Sequence, residues 1–152
     1  MAARGLAAGE LREGKRAGRV LGFMTPRELM TDYLAAAKRG DWDTAFGYFA
    51  DDLLISIPGR SDFAGERRGK AAAVDYIQTV RERYRDGAIE LELIDMLVSD
   101  ERVALMVRER FRDGDGPPVE IRRANVYRVK DGRVVEVSIF EADQYVVDAL
   151  LH

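Results

Sequence analysis

The sequence contains no cysteine, and its only histidine is the terminal residue, His152. Without cysteine there is no disulfide bond, thiol nucleophile or thiolate metal site. With one terminal histidine, serine–histidine catalysis, histidine-based dehydration and histidine-rich metal sites are poor interpretations. Carboxylates, tyrosine, lysine, arginine and amides are the groups left for chemistry. We therefore expect a site that works without a metal or another cofactor.

Long hydrophobic runs are also missing, since no apolar stretch exceeds a few residues. The sequence therefore predicts neither a transmembrane helix nor a secretory signal, and we expect a cytoplasmic protein. The 152 residues, of which 47% are hydrophobic, suit a single domain with one sizeable core.

Residues 1–23 differ in composition from the rest, because they are rich in alanine, glycine and arginine and carry five basic residues against two acidic ones. We interpret them as a basic, flexible N-terminal extension and place the domain at residues 24–152. A basic arm for an anionic partner is the other interpretation. The remainder is acidic and its arginines alternate with glutamates, so we expect no nucleic-acid partner.

Periodicity and turn signals divide residues 24–152 into helices followed by strands. Thr25-Pro26-Arg27-Glu28 combines a capping threonine, an early proline and a glutamate three residues after the cap, which is typical of a helix start. Helices followed by a run of antiparallel strands indicate an α+β fold. We predict helices near 25–39, 41–49 and 70–84, strands near 53–57, 89–98, 102–112, 119–130 and 133–141, a loop at 58–69, and a final helical turn near 143–151.

The last two predicted strands carry polar residues on an apolar face. Lys130-Asp131-Gly132-Arg133 is typical of a two-residue hairpin turn. Polar groups on a core-facing surface are either satisfied structurally or used on a ligand, so a pocket is implied. Period two gives the inward faces as Val119, Ile121, Asn125, Tyr127 and Val129, then Val135, Val137, Ile139 and Glu141.

Several short motifs carry a family resemblance: Tyr33-Leu34-Ala35-Ala36, Gly40-Asp41-Trp42-Asp43, Phe49-Ala50-Asp51-Asp52, Pro58-Gly59-Arg60-Ser61, Tyr127-Arg128-Val129 and Asp131-Gly132-Arg133-Val134-Val135. From Thr25 to the C-terminus, the sequence resembles the SnoaL-like, ketosteroid-isomerase-like branch of the nuclear transport factor 2-like superfamily. The resemblance implies a cone-shaped fold of about three helices packed on a strongly curved, mainly antiparallel sheet. It also implies a cavity at the open end and frequent homodimers.

The resemblance further implies roles for individual residues. In ketosteroid isomerase, a tyrosine and a protonated aspartic acid bind an enolate oxygen while a second carboxylate moves the proton. Tyr33 falls on the tyrosine and Asn125 on the acid donor, and an asparagine donates without needing a raised pKa. Ile57 stands where the proton-transferring aspartate precedes proline, so steroid isomerisation by that route is not expected.

Two carboxylates on inward faces, Glu109 and Glu141, are candidates for the missing base. Partial burial among aliphatic neighbours would raise the pKa of either group towards neutrality. Arg123 lies on the same face as Asn125, and a structural ion pair between Arg123 and Glu109 is the competing interpretation. The candidate catalytic residues are Glu109, Glu141, Tyr33 and Asn125, and the candidate ligand contacts are Ile57, Arg123, Tyr127 and Ile139.

Two other branches of the superfamily fit less well. The limonene-epoxide-hydrolase branch uses an Asp-Arg-Asp set with an Arg-x-Asp element on a strand, whereas Arg110-Phe111-Arg112 has an arginine where the acid belongs. The scytalone-dehydratase branch requires histidines that this chain lacks.

We interpret the protein as a small-molecule-binding domain that acts as a proton-transfer enzyme, of the isomerase or cyclase type, on an apolar carbonyl-bearing substrate. The alternative is a non-catalytic ligand-binding or dimerisation module of the same fold. The opposite sheet face combines an apolar centre with an arginine rim, which is typical of a subunit interface, so we expect a homodimer. Its apolar residues are Ala104, Met106, Ala124, Val126 and Phe140, and its rim residues are Arg108, Arg110, Arg112 and Arg122.

Overall fold

The computed structural model describes residues 23–83, 90–112 and 114–151. These residues contain four helices and six strands, which confirms the predicted α+β class. Among the described helices, none is both long enough and apolar enough to cross a membrane. The helices are α1 (Pro26–Lys38), α2 (Trp42–Gly47), α3 (Lys70–Arg83) and α4 (Gln144–Leu150), and the strands are β1 (Phe49–Ile57), β2 (Gly65–Arg68), β3 (Glu90–Val98), β4 (Arg102–Phe111), β5 (Val119–Lys130) and β6 (Arg133–Glu141).

The first helix begins at the predicted capping box. The Glu28 backbone N–H donates to the Thr25 hydroxyl at 3.2 Å, and the Thr25 backbone N–H donates to the Glu28 carboxylate at 3.0 Å. Two of the unpaired donors at this helix end are thereby satisfied. The helix buries Leu29, Met30 and Tyr33, so Tyr33 points inward as predicted.

The six strands form one open sheet in the order β2-β1-β6-β5-β4-β3. β1 runs parallel to β6, and every other neighbouring pair of these strands is antiparallel, which confirms a mainly antiparallel sheet. The hairpin between β5 and β6 turns at Asp131 and Gly132, whose φ angles of 51° and 70° suit a two-residue hairpin turn. The hairpin prediction is therefore confirmed.

Two boundaries differ from the sequence prediction. The predicted loop at 58–69 contains β2, in which Gly65 pairs with Ile57 and Arg68 with Leu54. The charged residues of this segment led to the loop prediction. A strand forms there because backbone pairing requires no apolar side chain and because charged side chains are common at a sheet edge. Phe49 belongs to β1 rather than to the second helix, which ends at Gly47. The predicted limits at Tyr84 and Ile89, and the extension at 1–22, lie outside the described residues.

Two hydrophobic clusters fill the concave side of the sheet. The larger one surrounds α1 and includes the fully buried Leu29, Met30, Leu53, Val103 and Val134. The smaller one lies towards α4 and contains Phe63, Phe111, Ile121, Val147 and Leu151. Four members of the smaller cluster, Phe63, Phe111, Val147 and Leu151, line a cavity together with polar side chains of the sheet.

Candidate functional site

A cavity of about 200 Å³ opens on the concave side of the sheet, against the smaller cluster. Pockets for drug-sized ligands measure about 300–1,000 Å³, so this cavity suits a smaller molecule. Leu91 stands on edge strand β3 with 61% of its surface exposed and marks the rim. The lining consists of Ile57, Pro58, Ser61, Phe63, Tyr76, Val80, Arg81, Leu91, Glu109, Phe111, Arg123, Ile139, Glu141, Val147 and Leu151.

Three charged side chains from adjacent strands meet in the lining. Arg123 on β5 contacts Glu109 on β4, Nη1 to Oε2, at 3.4 Å, and it donates from Nε to Glu141 Oε2 on β6 at 3.2 Å. The side chains of Arg123, Glu109 and Glu141 are 13%, 14% and 4% exposed. One guanidinium thus bridges two enclosed carboxyl groups, and each contact is a charge-assisted interaction.

Both carboxyl groups have perturbed acidity. Burial raises the pKa of Glu109 above its ordinary value of 4.5, and the charge of Arg123 opposes that rise. Burial likewise raises the pKa of Glu141, against the charge and hydrogen bond of Arg123, while Glu109 adds a further rise by repulsion. Two acids that share one cation and repel each other titrate as a coupled pair. The arrangement therefore places two carboxyl groups of raised pKa on either side of one guanidinium.

Tyr76 on α3 lines the same cavity and was missed as a site residue in the sequence. Its ring meets Phe63 edge-on at 6.1 Å, and the Arg67 guanidinium lies 5.1 Å from its ring centroid. Burial raises the pKa of Tyr76 although Arg123 and Arg67 oppose the rise. The spacing of residues along α3 could have predicted an inward Tyr76. Position 76 lies on the same side of the helix as the buried Ala73 and the cavity-lining Val80.

The wall of the cavity near the chain terminus is fastened by Asp148 on α4. One oxygen of its carboxylate, Oδ1, accepts from the backbone N–H of Arg60 at 2.8 Å, from that of Ser61 at 3.2 Å and from the side-chain amide of Gln144 at 3.0 Å. The backbone N–H of Asp62 also donates to the Leu151 carbonyl at 3.0 Å. The loop after β1 is therefore held against α4, which places Ser61, Phe63, Val147 and Leu151 in the lining.

The predicted site residues are found in two places. Glu109, Glu141, Arg123, Ile57 and Ile139 line the cavity together. The predicted pair of Arg123 with Glu109 is present, and Arg123 contacts Glu141 as well. Ile57 lies in the lining, as its alignment with the family's base position implied.

Tyr33, Asn125 and Tyr127 are not part of this lining. The Tyr33 ring packs against Phe49 at 5.7 Å and against Tyr127 at 6.1 Å, and both tyrosines are only 8% exposed. Burial raises the pKa of Tyr33 to about 12. Burial also raises the pKa of Tyr127 well above 10.0, partly offset by a hydrogen bond with Asn125. The Oδ1 atom of Asn125 is buried and accepts no hydrogen bond from the described residues.

Metal ligands are not grouped in the described part of the chain, where no three carboxylate or histidine side chains lie close enough together to hold an ion.

The SnoaL-like domain family matches residues 30–137, which is more than half of the chain. The chain belongs to this family. The structure of Bal32a, from a soil-derived mobile gene cassette, is 25% identical with a TM-score of 0.75, and the similarity covers 84% of this chain and 96% of Bal32a. No curated protein matches.

Two further solved structures share the fold at lower identity. A nuclear transport factor 2-like protein from Burkholderia thailandensis is 21% identical with a TM-score of 0.71, covering 86% of this chain and 99% of its own. TerC, co-crystallised with polyporic acid, is 13% identical with a TM-score of 0.68, covering 83% of this chain and 96% of its own. This SnoaL-like domain therefore has the cone fold, and the fold with its cavity supports small-molecule binding.

Proposed function

We propose that this SnoaL-like domain is an acid–base enzyme that moves a proton within a small, largely apolar substrate carrying a carbonyl oxygen. The observation that carries the proposal is the bridge of Glu109, Arg123 and Glu141 in the lining of an otherwise mostly apolar cavity. A general acid or base works best when its pKa lies near the working pH. Burial raises the pKa values of both carboxyl groups towards neutral pH.

The reaction class follows from what the pair can hold. The ionised carboxylate removes a proton from the carbon that lies between the carbonyl and a C=C bond. The electron pair of that C–H bond forms a C=C bond to the carbonyl carbon, and the π pair of the C=O bond moves to the oxygen, which gives a dienolate. The carboxyl group that took the proton then returns it to the far carbon of the original C=C bond, and the C=O bond re-forms in conjugation with the shifted C=C bond. No electron acceptor or second substrate is needed, so the step is an isomerisation. Arg123 holds both carboxyl groups in place during the transfer.

The test uses cyclohex-3-enone, a small neutral ketone whose conversion to cyclohex-2-enone is followed by the absorbance of the conjugated product. Wild-type protein should accelerate the conversion, and Glu109→Gln or Glu141→Gln should lower kcat by about 10²-fold or more. The wild-type rate should rise with pH through a value above 4.5, because the base must be ionised. Glu120→Gln is the matched control, since Glu120 lies on the outer face and pairs with Arg110 and Arg122.

A wild-type rate equal to that of the Glu109→Gln/Glu141→Gln double variant would contradict the catalytic proposal. If the ketone nevertheless bound in the cavity, the protein would be the non-catalytic ligand-binding module that the fold also permits.

The outer sheet face supports a second proposal, a homodimer. Met106, Ala124 and Phe140 lie side by side on three adjacent strands, and Phe140 is 58% exposed. An exposed aromatic residue within an apolar row rimmed by arginines resembles the centre of an interface. Met106→Asp with Phe140→Asp should halve the mass measured by light scattering at micromolar concentration. Tyr145→Asp, at a 90% exposed position on α4, is the control, and an unchanged mass of the double variant would refute the interface.

A further inference from the structure

We infer that Tyr76 on α3, rather than Tyr33, donates the hydrogen bond that holds the oxygen of an uncharged ligand beside the two carboxyl groups. This inference rests on the proposed function, because it names the donor and the ligand class of the same site.

The position of Tyr76 is fixed by its surroundings. Its ring packs against members of both hydrophobic clusters and therefore lies where the cavity meets the core. Phe63 meets the ring edge-on on the cavity side, and Arg67 of β2 stacks over it. An aromatic ring held by such contacts loses little freedom when a ligand binds, so its hydroxyl can act as a preorganised donor.

The hydroxyl of Tyr76 is available to a ligand. No hydrogen bond joins it to another described residue, whereas the charges of Arg123, Glu109 and Glu141 all act on it. Because burial raises its pKa above 10.0, it remains protonated, and thus a donor, at neutral pH. Tyr33 also has a raised pKa and no hydrogen bond to a described residue, but its surroundings differ: its ring packs against Phe49 and Tyr127, and it lies outside the cavity lining.

The charges in the lining favour an uncharged ligand. Glu109 and Glu141 face two cations, Arg123 and Arg81. Arg123 already contacts both carboxyl groups, and the Arg81 guanidinium stacks over the ring of Trp42 at 4.0 Å from its centroid. A carboxylate ligand would have to compete with Glu109 and Glu141 for Arg123 and draw Arg81 away from Trp42, and burying a charge without a paired cation is costly. A ketone oxygen requires only a neutral donor, which Tyr76 supplies.

The experiment compares two probes of similar shape, the neutral cyclohex-2-enone and the anionic cyclohexanecarboxylate, in NMR titrations of the full chain. Wild-type protein should bind the ketone more tightly than the carboxylate. Tyr76→Phe should weaken ketone binding by roughly twofold to tenfold, the range expected for one lost neutral hydrogen bond. In the cyclohex-3-enone assay it should lower kcat by about 10²-fold, because the donor acts on the developing enolate. Tyr48→Phe, a change at the C-terminal cap of α2, is the control and should alter neither quantity.

The outcomes separate this inference from the proposed function. If Tyr76→Phe leaves ketone affinity and kcat unchanged while Glu109→Gln lowers kcat, the Tyr76 inference fails and the proposed function stands. If Tyr33→Phe causes the loss instead, the inference also fails. If Glu109→Gln and Glu141→Gln leave the rate unchanged, the proposed function fails and the ketone titration alone decides the role of Tyr76.

The titrations also test the ligand class. If the ketone does not bind, or if the carboxylate binds more tightly than the ketone, the inference of an uncharged ligand is wrong. Tyr76→Met, with melting curves for each variant, repeats the titration should Tyr76→Phe not fold.

Discussion

The inner face of the sheet carries two polar groups that share strands but have different surroundings. Arg123 and Asn125 are two residues apart on β5 and project from the same face. Arg123 lines the cavity, whereas Asn125 lies outside the lining and is hydrogen-bonded to Tyr127, whose ring packs against Tyr33 of α1. We call the first set the cavity group (Tyr76, Glu109, Arg123, Glu141) and the second set the core group (Tyr33, Asn125, Tyr127).

The difference lies in what the polar atoms can still contact. In the core group, one hydrogen bond joins the Tyr127 hydroxyl to Asn125, whose Oδ1 accepts none from the described residues, and the Tyr33 ring packs against aromatic neighbours. In the cavity group, Tyr76, Glu109 and Glu141 all line the cavity. A polar side chain in a packed core can contribute stability and specificity of folding, while one beside a cavity can also act on a ligand. Substitutions should therefore separate stability from ligand binding.

The largest effect is expected from Arg123→Met. The change leaves two enclosed carboxyl groups without their shared cation, and removing one partner of a buried ion pair costs about 3–5 kcal/mol. Chemical denaturation at pH 7 measures the loss. Arg122→Met is the matched control, since Arg122 is the neighbouring residue on the outer face, is 61% exposed and should lose less than about 1 kcal/mol. Equal losses would mean that the cavity group has no special electrostatic role.

A smaller loss is expected from Asn125→Ala in the core group. The substitution removes the partner of the Tyr127 hydroxyl inside the protein, which costs about 1–3 kcal/mol for an unsatisfied buried group. Ketone affinity in the NMR titration should stay within twofold of wild type, because Asn125 is not in the lining. A loss of affinity as large as that caused by Tyr76→Phe would show that the two groups are not separate, and would restore the role that the family resemblance gave to Asn125.

The pH dependence of stability should distinguish the carboxyl groups of the two sheet faces. The pKa values of Glu109 and Glu141 are raised in the folded protein. The stability that the two groups contribute is therefore fully present below pH 4.5, and it is lost as the pH rises through their pKa values in the folded state. Relative to Glu109→Gln/Glu141→Gln, wild type should lose stability above pH 4.5.

The control for this pH measurement is Glu120→Gln on the outer face. A hydrogen bond from Arg122 lowers the pKa of Glu120. The stability that Glu120 contributes is therefore lost when the pH falls, not when it rises. Denaturation curves from about pH 3 to about pH 8 test both signs, because the Glu120 contribution is lost only below pH 4.5. A wild-type curve parallel to that of the double variant would contradict the raised pKa values.

The sequence predicted the inward face of each strand better than it predicted what covers that face. Period two placed Glu109, Arg123 and Glu141 on the inner face. The register that brings Arg123 opposite Glu141 depends on a β-bulge between Arg128 and Val129, because the pairing of Lys130 with Arg133 at the turn would by itself place Arg123 opposite Phe140. Nothing in the strand pattern distinguishes Arg123 from Asn125, however, because their surroundings come from α1, α3 and α4. Strand β2 was missed because its pairing depends on the backbone of β1, and Tyr76 was missed because a helix stripe does not reveal where a core ends and a cavity begins.

The smallest effect is expected from Tyr33→Phe. This substitution tests whether the core group is separate from the ligand-binding site. No hydrogen bond joins the Tyr33 hydroxyl to another described residue, so at pH 7 its removal should change the free energy of unfolding by less than about 1 kcal/mol. Ketone affinity should not change. The pKa of Tyr33 is raised to about 12 by burial, so the contribution of the neutral hydroxyl is lost as pH rises from 10.0 through that value. Wild type should therefore lose stability relative to Tyr33→Phe above pH 10, which alkaline melting curves can measure. A fall in ketone affinity at pH 7 with no alkaline difference would instead place the Tyr33 hydroxyl in contact with the ligand, and the core group would then be part of the site.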